Sequence, residues 1–386
     1  MKHFVRVLGC LLLWSGDIQA LKIYLLSHHD NAGDHNQVLG IKSAFIKLSP
    51  EISFEDSFED INTKTTNPKT ISEDVQKDLL TQKVVVIGSG EGGIDGAINL
   101  PKNPHLITCL TSHMFLDRYQ NLPNIDYIAL PIHVSGDIKA KLGSKLIETV
   151  GVAHNRQPKV CEDVYNKWKK EIPEAPTYMA VILGGDAPLP PPSKGIKHFT
   201  EQDAQDLAKY VTQHAHGATV LVLNGPRTGK YNAKGEEDKD VHRKNYSDPI
   251  TELFVQKLKQ NHIKYKLFDF QHNSPENKPY VSPFNSFDLI VGLLQQKEGK
   301  LLVPGESTSM ISEAIDTLPQ GKVLVYTNGA MNPVHESHVN SELNAERIDV
   351  LENYREIKAS SKKVSEPPSS AAQVIAKRLW EAATPY

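Results

Sequence analysis

Leu301-Leu302-Val303-Pro304-Gly305-Glu306-Ser307-Thr308-Ser309-Met310-Ile311-Ser312-Glu313-Ala314 reads as an apolar strand, a hydroxyl-rich turn containing glycine, and the start of a helix. A helix N-terminus exposes unpaired N–H groups and the positive end of a dipole, so the hydroxyls of Ser307, Thr308 and Ser309 crowded there suit an anionic phosphate. Glu313 lies one to two turns further on, near a ribose or sugar hydroxyl if a nucleotide lay across the turn. The plain alternative is an N-cap, with Ser307 or Thr308 satisfying its own helix and Glu313 merely solvated.

Other turns of this kind follow strands elsewhere in the chain. Asn31-Ala32-Gly33-Asp34-His35-Asn36-Gln37-Val38-Leu39-Gly40 follows a strand from Lys22 to Ser27 and opens a helix. Leu183-Gly184-Gly185-Asp186 follows Met179 to Leu183, and Asn224-Gly225-Pro226-Arg227-Thr228-Gly229 follows Ala218 to Leu223. The shared order of these motifs resembles the ELM-type family, named for a plant protein of mitochondrial fission and similar to the GT-B glycosyltransferases. The resemblance runs from about Leu21 to Arg347 and departs at the Pro-rich stretch Asp186 to Lys194 and at Gly225-Pro226.

That resemblance implies an α/β fold of two Rossmann-like domains facing a central cleft, with a C-terminal helix crossing back to the N-terminal domain. It implies a nucleotide-sugar donor held by the C-terminal domain and transfer without metal to an acceptor of unknown identity. Ser307, Thr308, Ser309, Arg227 and Thr228 would then hold the diphosphate, Glu313 a hydroxyl, and Gly184 and Gly185 would allow close backbone approach. A planar guanidinium such as that of Arg227 matches a diphosphate bidentately; a surface ion pair is its alternative. Asn31, Gly33, Asn36, Gln37, Ser89 and Gly90 fall on the acceptor side. The family's link to organelle fission leaves a non-catalytic or merely nucleotide-binding protein on the same scaffold as an alternative.

The chain's 386 residues suit two domains of ordinary size, and 39% hydrophobic content is enough for a packed core in each. Lys plus Arg (43) nearly balances Asp plus Glu (46), and a net charge of −3 advertises no nucleic-acid surface. Cys10, Cys109 and Cys161 show no CxxC spacing and argue against a structural zinc site or a disulfide framework.

Strand-length apolar runs alternate with helical stretches, which argues parallel sheets covered on both faces. The expected segments are residues 1–20 as a leader, 21–175 and 176–364 as the two domains, and 365–386 as linker and last helix. Pro173 and Pro176 break any helix at the hinge expected near Ile172 to Pro176. All four turns occupy the carboxyl ends of strands, where open α/β sheets bind ligands.

Val84-Val85-Val86-Ile87-Gly88-Ser89-Gly90-Glu91-Gly92-Gly93 contains a formal G-x-G-x-x-G after a strand. It does not open the first β-α unit, and the next strand lacks a terminal acidic residue for a ribose, so a nicotinamide or flavin oxidoreductase is the second alternative. The preferred reading is a flexible loop with Glu91 available as a base. Gly225 to Lys230 is one residue short of a P-loop, and Tyr231 replaces the Ser or Thr that would bind Mg²⁺. Thr111-Ser112-His113-Met114 places an imidazole after a strand, and His113 is the candidate base for an acceptor hydroxyl, with Asp30 and Asp34 as rival carboxylates. His28-His29 and His214-Ala215-His216 lack partners at metal-ligand spacing and read as loop and helix-end residues; no metal is expected. Glu236 to Asp240 and Pro188 to Pro192 read as solvated and stiff loops.

Lys2 and Arg6 precede the apolar run Val7 to Trp14, and Ile18-Gln19-Ala20 resembles a signal-peptidase site. The expectation is export, to a periplasm or outside the cell; the alternative is a cytoplasmic protein with a misplaced start ahead of Leu21. The run is too short to span a bilayer, and no second stretch approaches that length. Export conflicts with a cytosolic nucleotide-sugar supply.

Overall fold

Strands covered by helices on both faces become near-continuous apolar runs, and this chain builds two parallel sheets from such runs. The computed structural model describes residues 21–48, 57–114, 118, 124–136, 138–189, 193–215, 217–232, 234–237, 248–270, 283–360 and 369–384. The leader at 1–20, His216, and parts of the loops and linker expected at 188–192, 236–240 and 365–370 lie outside them.

In chain order the elements begin with β1 (Leu21–Ser27), α1 (Ala32–Leu48), β2 (Phe58–Asn62), α2 (Pro68–Asp78), β3 (Lys83–Ser89), α3 (Gly90–Ala97), β4 (Leu106–Thr111) and β5 (Tyr127–Pro131). Then come α4 (Ile132–Ser135), α5 (Lys139–Leu142), β6 (Leu146–Thr149), α6 (Pro158–Trp168), β7 (Tyr178–Ile182), β8 (Ala187–Pro188), β9 (Ile196–Lys197), α7 (Glu201–His214) and β10 (Thr219–Leu223). The chain continues through α8 (Pro249–Gln260), β11 (Tyr265–Phe268), α9 (Ser286–Gln296), β12 (Gly299–Pro304), α10 (Thr308–Thr317) and β13 (Val323–Tyr326). It closes with α11 (Pro333–Asn344), β14 (Asp349–Glu352), β15 (Glu356–Lys358) and α12 (Ala371–Ala383).

Two compact units result. The first comprises Met1–Leu130, Asp137–Glu148 and Ala372–Tyr386, and the second Pro131–Gly136 and Thr149–Ala371. The first unit's sheet has the order β2-β1-β3-β4-β5-β6. Val84, Val85, Val86 and Ile87 on its β3 are wholly or almost wholly buried. The last helix belongs to this unit: Lys83 Nζ donates to the Ala383 carbonyl at 2.8 Å, and the Arg378 guanidinium lies 5.4 Å from the Tyr127 ring centre.

The second unit's sheet runs β11-β10-β7-β12-β13-β14-β15, parallel except for the final antiparallel pair. Alternate residues serve opposite faces, as the strand period of two requires. Ala180, Ile182, Leu301 and Val303 meet α6, α9 and α10 in one apolar cluster; Val181, Leu183 and Leu302 meet α7 and α8 in another. Helix α9 crosses α6 so closely that a Cβ at Gly292 would stand 2.1 Å from the Cys161 carbonyl oxygen.

The division falls earlier than the hinge expected at Ile172 to Pro176. The cause is α6, which buries Cys161 and Tyr165 against α9 and so ties its segment to the second sheet. Cys109 and Cys161 are both buried free thiols. Among the described residues no helix is long and apolar enough to cross a membrane.

Candidate functional site

From β7 the chain builds outward to β10 and β11, then returns to the other side of β7 with β12. The order therefore reverses between β7 and β12, the place where loops at the strands' carboxyl ends part and leave room for a ligand. A cavity of about 520 Å³ lies there, within the second unit. Gly185 after β7, Asn224 to Thr228 after β10, Asp269 and Phe270 after β11, and Glu306 and Ser307 after β12 line it, with Met310 and Glu313 from α10 and Phe284 to Phe287 at the start of α9.

Ser307 stands at the N-cap of α10, yet its side chain makes no capping hydrogen bond. Asn67, Thr200, Asp248, Asn285 and Asn332 all cap their own helices through their side chains. The helix start facing the cavity is thus left uncapped, and the self-capping alternative for Ser307 fails. Thr308 is half-buried and Ser309 exposed, and neither lines the cavity.

The two glycines after β7 answer to packing within the chain rather than to a ligand. A Cβ at Gly184 would lie 2.3 Å from the Phe199 ring, and one at Gly185 would lie 2.9 Å from Arg227 Cβ. Gly185 lines the cavity and Gly184 does not. Asp186 fixes the loop that follows, its buried carboxylate accepting from the Phe199 and Tyr231 N–H groups at 3.1 and 3.0 Å. Its own N–H donates to the Arg227 carbonyl, which joins the β7 and β10 loops.

Arg227 lines the cavity with an exposed side chain, and among the described residues it forms no ion pair. Thr228 is buried and structural: its hydroxyl accepts from the Gly225 N–H at 3.1 Å and closes the turn that presents Arg227. Asn224 locks the base of that turn by donating to Asp269 Oδ1 at 3.0 Å and accepting from the Phe270 N–H.

Sequence reading missed three residues. Glu306 is buried, with Oε1 accepting from the Gly185 N–H at 2.7 Å and Oε2 from Asn328 at 2.6 Å, so it ties the β7 and β12 loops together. Burial pushes its pKa up, against the hydrogen bonds from Asn328 and Gly185 that favour the carboxylate. Arg156 lines the other wall, and Asp288, which does not line the cavity, pairs with it. Arg156 Nε donates to Glu313 Oε2 at 2.8 Å, and its Nη1 pairs with Asp288 Oδ1. Burial works against the guanidinium's charge, but Glu313 and Asp288 outweigh it and hold its pKa above the usual value. Glu313 therefore meets Arg156 first, through Oε2, and its Oε1 takes no part in that pair.

In the first unit, Asn31 holds the start of α1, its Oδ1 accepting from the Asp34 N–H at 3.3 Å and its amide donating to the Asp34 carboxylate at 2.6 Å. Gln37 reaches Asp34 at 3.4 Å and accepts from Thr111 at 3.3 Å; Gly33 and Asn36 are exposed. Burial raises the Asp34 pKa and lowers that of His113, although the Asp34 charge acts on His113 in the opposite sense. Asp30 is exposed and paired with Lys64, and Glu91 is exposed and paired with Arg118, so each rival base already has a cation.

The turn from Gly88 to Gly93 is not the flexible loop expected but the end of β3 and the first turn of α3. The Asp34 carboxylate sits against that helix start: a Cβ at Gly90 (φ +57°) would stand 2.2 Å from Asp34 Oδ2, and Ser89 donates to Asp34 Oδ1 at 3.4 Å. A buried carboxylate takes the position a dinucleotide's pyrophosphate would need, which counts against the oxidoreductase alternative. His214 Nδ1 donates to the Tyr210 carbonyl, 2.8 Å away, as a helix-end residue. His29, in contrast, does meet metal-ligating neighbours, His35 and Asp60, from elements the spacing could not reveal.

No protein-family model matches this sequence, and no curated protein matches it. Among solved structures, the UDP-GlcNAc 2-epimerase of Methanocaldococcus jannaschii in complex with UDP-GlcNAc and UDP is 14% identical with a TM-score of 0.32, over 93% of this chain and 99% of that one. The ADP-heptose lps heptosyltransferase II of E. coli is 9% identical with a TM-score of 0.34, over 94% and 98%. At those scores neither similarity argues for a substrate or a reaction here, and the ELM-type resemblance rests on the sequence motifs alone. The chain's own two units, each built on a largely parallel sheet, have the two-domain Rossmann-like α/β architecture expected from the sequence.

Proposed function

We propose that the second unit binds the nucleotide diphosphate of a nucleotide-sugar donor, and that the chain is a glycosyltransferase of the GT-B kind and of the ELM type. The observation that carries this is the uncapped start of α10 opening, beside Arg227, onto the cavity at the point where the strand order reverses. The N–H groups of that first turn and the Arg227 guanidinium face the diphosphate and neutralise the charge that builds on it as it leaves, without a metal at this pocket. Phe268, Phe270, Phe284 and Phe287 give the same cavity an aromatic wall for the base. Glu313 Oε1 accepts from a ribose or sugar hydroxyl while Arg156 holds Oε2. The acceptor belongs to the first unit, where His113, kept neutral by burial, takes the hydroxyl proton.

The test is a thermal-shift and calorimetric titration with UDP, GDP and ADP. A ligand at about 100 times its dissociation constant adds about 2.7 kcal/mol, a clear rise in melting temperature. Losing a hydrogen bond to a charged group costs about 1.5 to 3 kcal/mol, so Arg227→Ala weakens binding roughly ten- to hundred-fold. If no nucleotide at millimolar concentration moves the melting temperature, the reading is wrong. Tight binding without transfer of any sugar would leave the non-catalytic alternative.

A further inference from the structure

Three metal-ligating side chains that take no part in the proposed transfer meet beside the carboxyl end of β1 and the middle of β2 in the first unit. His29 comes from the loop after β1, His35 from the first turns of α1, and Asp60 from the edge strand β2. His29 Nε2 lies 3.1 Å from Asp60 Oδ1 and His35 Nε2 lies 3.5 Å from Asp60 Oδ2, with all three ligand atoms within 4.8 Å of one another. Zinc bonds of about 2.0 to 2.1 Å in tetrahedral geometry put neighbouring ligand atoms about 3.3 Å apart, between the two separations seen here.

The far side of the His35 ring supports the same assignment. Its Nδ1 is hydrogen-bonded to Ser27 Oγ at 3.0 Å, the kind of outer contact that fixes a ligating imidazole's orientation and leaves Nε2 to the metal. The two imidazole rings stand only 4.2 Å apart between centroids. As two cations they would repel at that separation, whereas two neutral rings can share one bridging cation with the carboxylate.

We propose that His29, His35 and Asp60 form a Zn²⁺ site with three protein ligands and an open position for water or another oxygen ligand. Two imidazoles and one carboxylate suit a borderline-soft ion, not the all-oxygen shells of Mg²⁺ or Ca²⁺, and zinc binds such a set more tightly than Mn²⁺, Fe²⁺ or Co²⁺. All three ligands belong to the first unit, and the residues lining the diphosphate pocket belong to the second.

The test uses the untagged full chain, stripped with a chelator and dialysed. Zn²⁺ is titrated in competition with a chromophoric chelator, and Co²⁺ is followed by its visible absorption. One equivalent of Zn²⁺ binds with a dissociation constant on the order of micromolar or tighter, and Co²⁺ gives the intense band of a low-coordinate site. His29→Ala, in an exposed loop, and His35→Ala each weaken Zn²⁺ binding at least ten-fold, and Ser27→Ala weakens it about ten-fold. His28→Ala changes nothing, because His28 faces Asp95 at 3.6 Å and not the cluster. Asp60→Asn serves where Asp60→Ala lowers the circular dichroism. Absence of stoichiometric binding, or His29→Ala and His35→Ala binding zinc as tightly as the parent chain, overturns the proposal; nucleotide affinity is read separately and does not bear on it.

Discussion

Replacing Arg156 by Gln removes the guanidinium that Glu313 of the cavity wall shares with Asp288. Arg156 keeps 20% of its side chain exposed, Asp288 12% and Glu313 16%, so none of the three is freely hydrated. At an effective dielectric constant of about 20, each contact contributes about 4 kcal/mol of attraction, much of it offset by the desolvation of the three groups. Orphaning a fully buried charge typically costs about 3 to 5 kcal/mol, and the partial exposure here places the loss near the lower end, about 3 kcal/mol. For a unit of this size that corresponds to a fall in melting temperature of about 6 to 12 °C in scanning calorimetry at pH 8. The triple replacement Arg156→Met, Asp288→Leu, Glu313→Met recovers most of the loss, since it leaves no charge behind. An Arg156→Gln protein melting within about 1 °C of the parent at pH 8 would refute the reasoning, because the charges would then be solvated after all.

Gly184→Ala forces a methyl group into the buried Phe199 ring and costs about 1 to 3 kcal/mol, whereas Gly225→Ala meets nothing within 4 Å and stays within about 0.5 kcal/mol; equal urea midpoints for the two would contradict the packing. Glu342 is buried, which raises its pKa to about 7 despite Arg347. The folded state thus keeps a proton that the unfolded state releases above about 4.5, and stability falls as pH rises from about 4.5 to 7, by on the order of 3 kcal/mol. Glu342→Gln removes that slope, so its melting temperature gains on the parent between pH 5 and 8; parallel profiles would sink the assignment.

The parallel strands were legible because a strand buried on both faces must be apolar along its length, as Val84 to Ile87 and Val220 to Leu223 are. Strand β2, Phe-Glu-Asp-Ile-Asn, buries only Ile61 and so left no such trace. Helix α9 escaped for the opposite reason: eight of its residues, Phe287 to Leu294, are buried in succession, which erases the helical period. In the site, the glycine and hydroxyl turns could be read locally, since each is one short stretch after a strand. Arg156 could not, because it meets Glu313 across 157 positions without any motif joining them. Glu306 stood in the stretch first read, but its partners, Gly185 and Asn328, lie on other loops, and only the folded sheet brings them together. His29, His35 and Asp60 come from a loop, a helix and an edge strand with no regular spacing.

The first unit is assembled from three separate stretches of chain, the last of them the helix α12. During synthesis the second unit emerges complete while the first still lacks α12, whose docking supplies the Lys83 to Ala383 contact. The first unit's sheet, made before the second unit, is covered after it. Until α12 leaves the ribosome, the surface that it covers stays open to chaperones and to neighbouring nascent chains, and a stop codon before Ala371 would condemn the first unit while sparing the second.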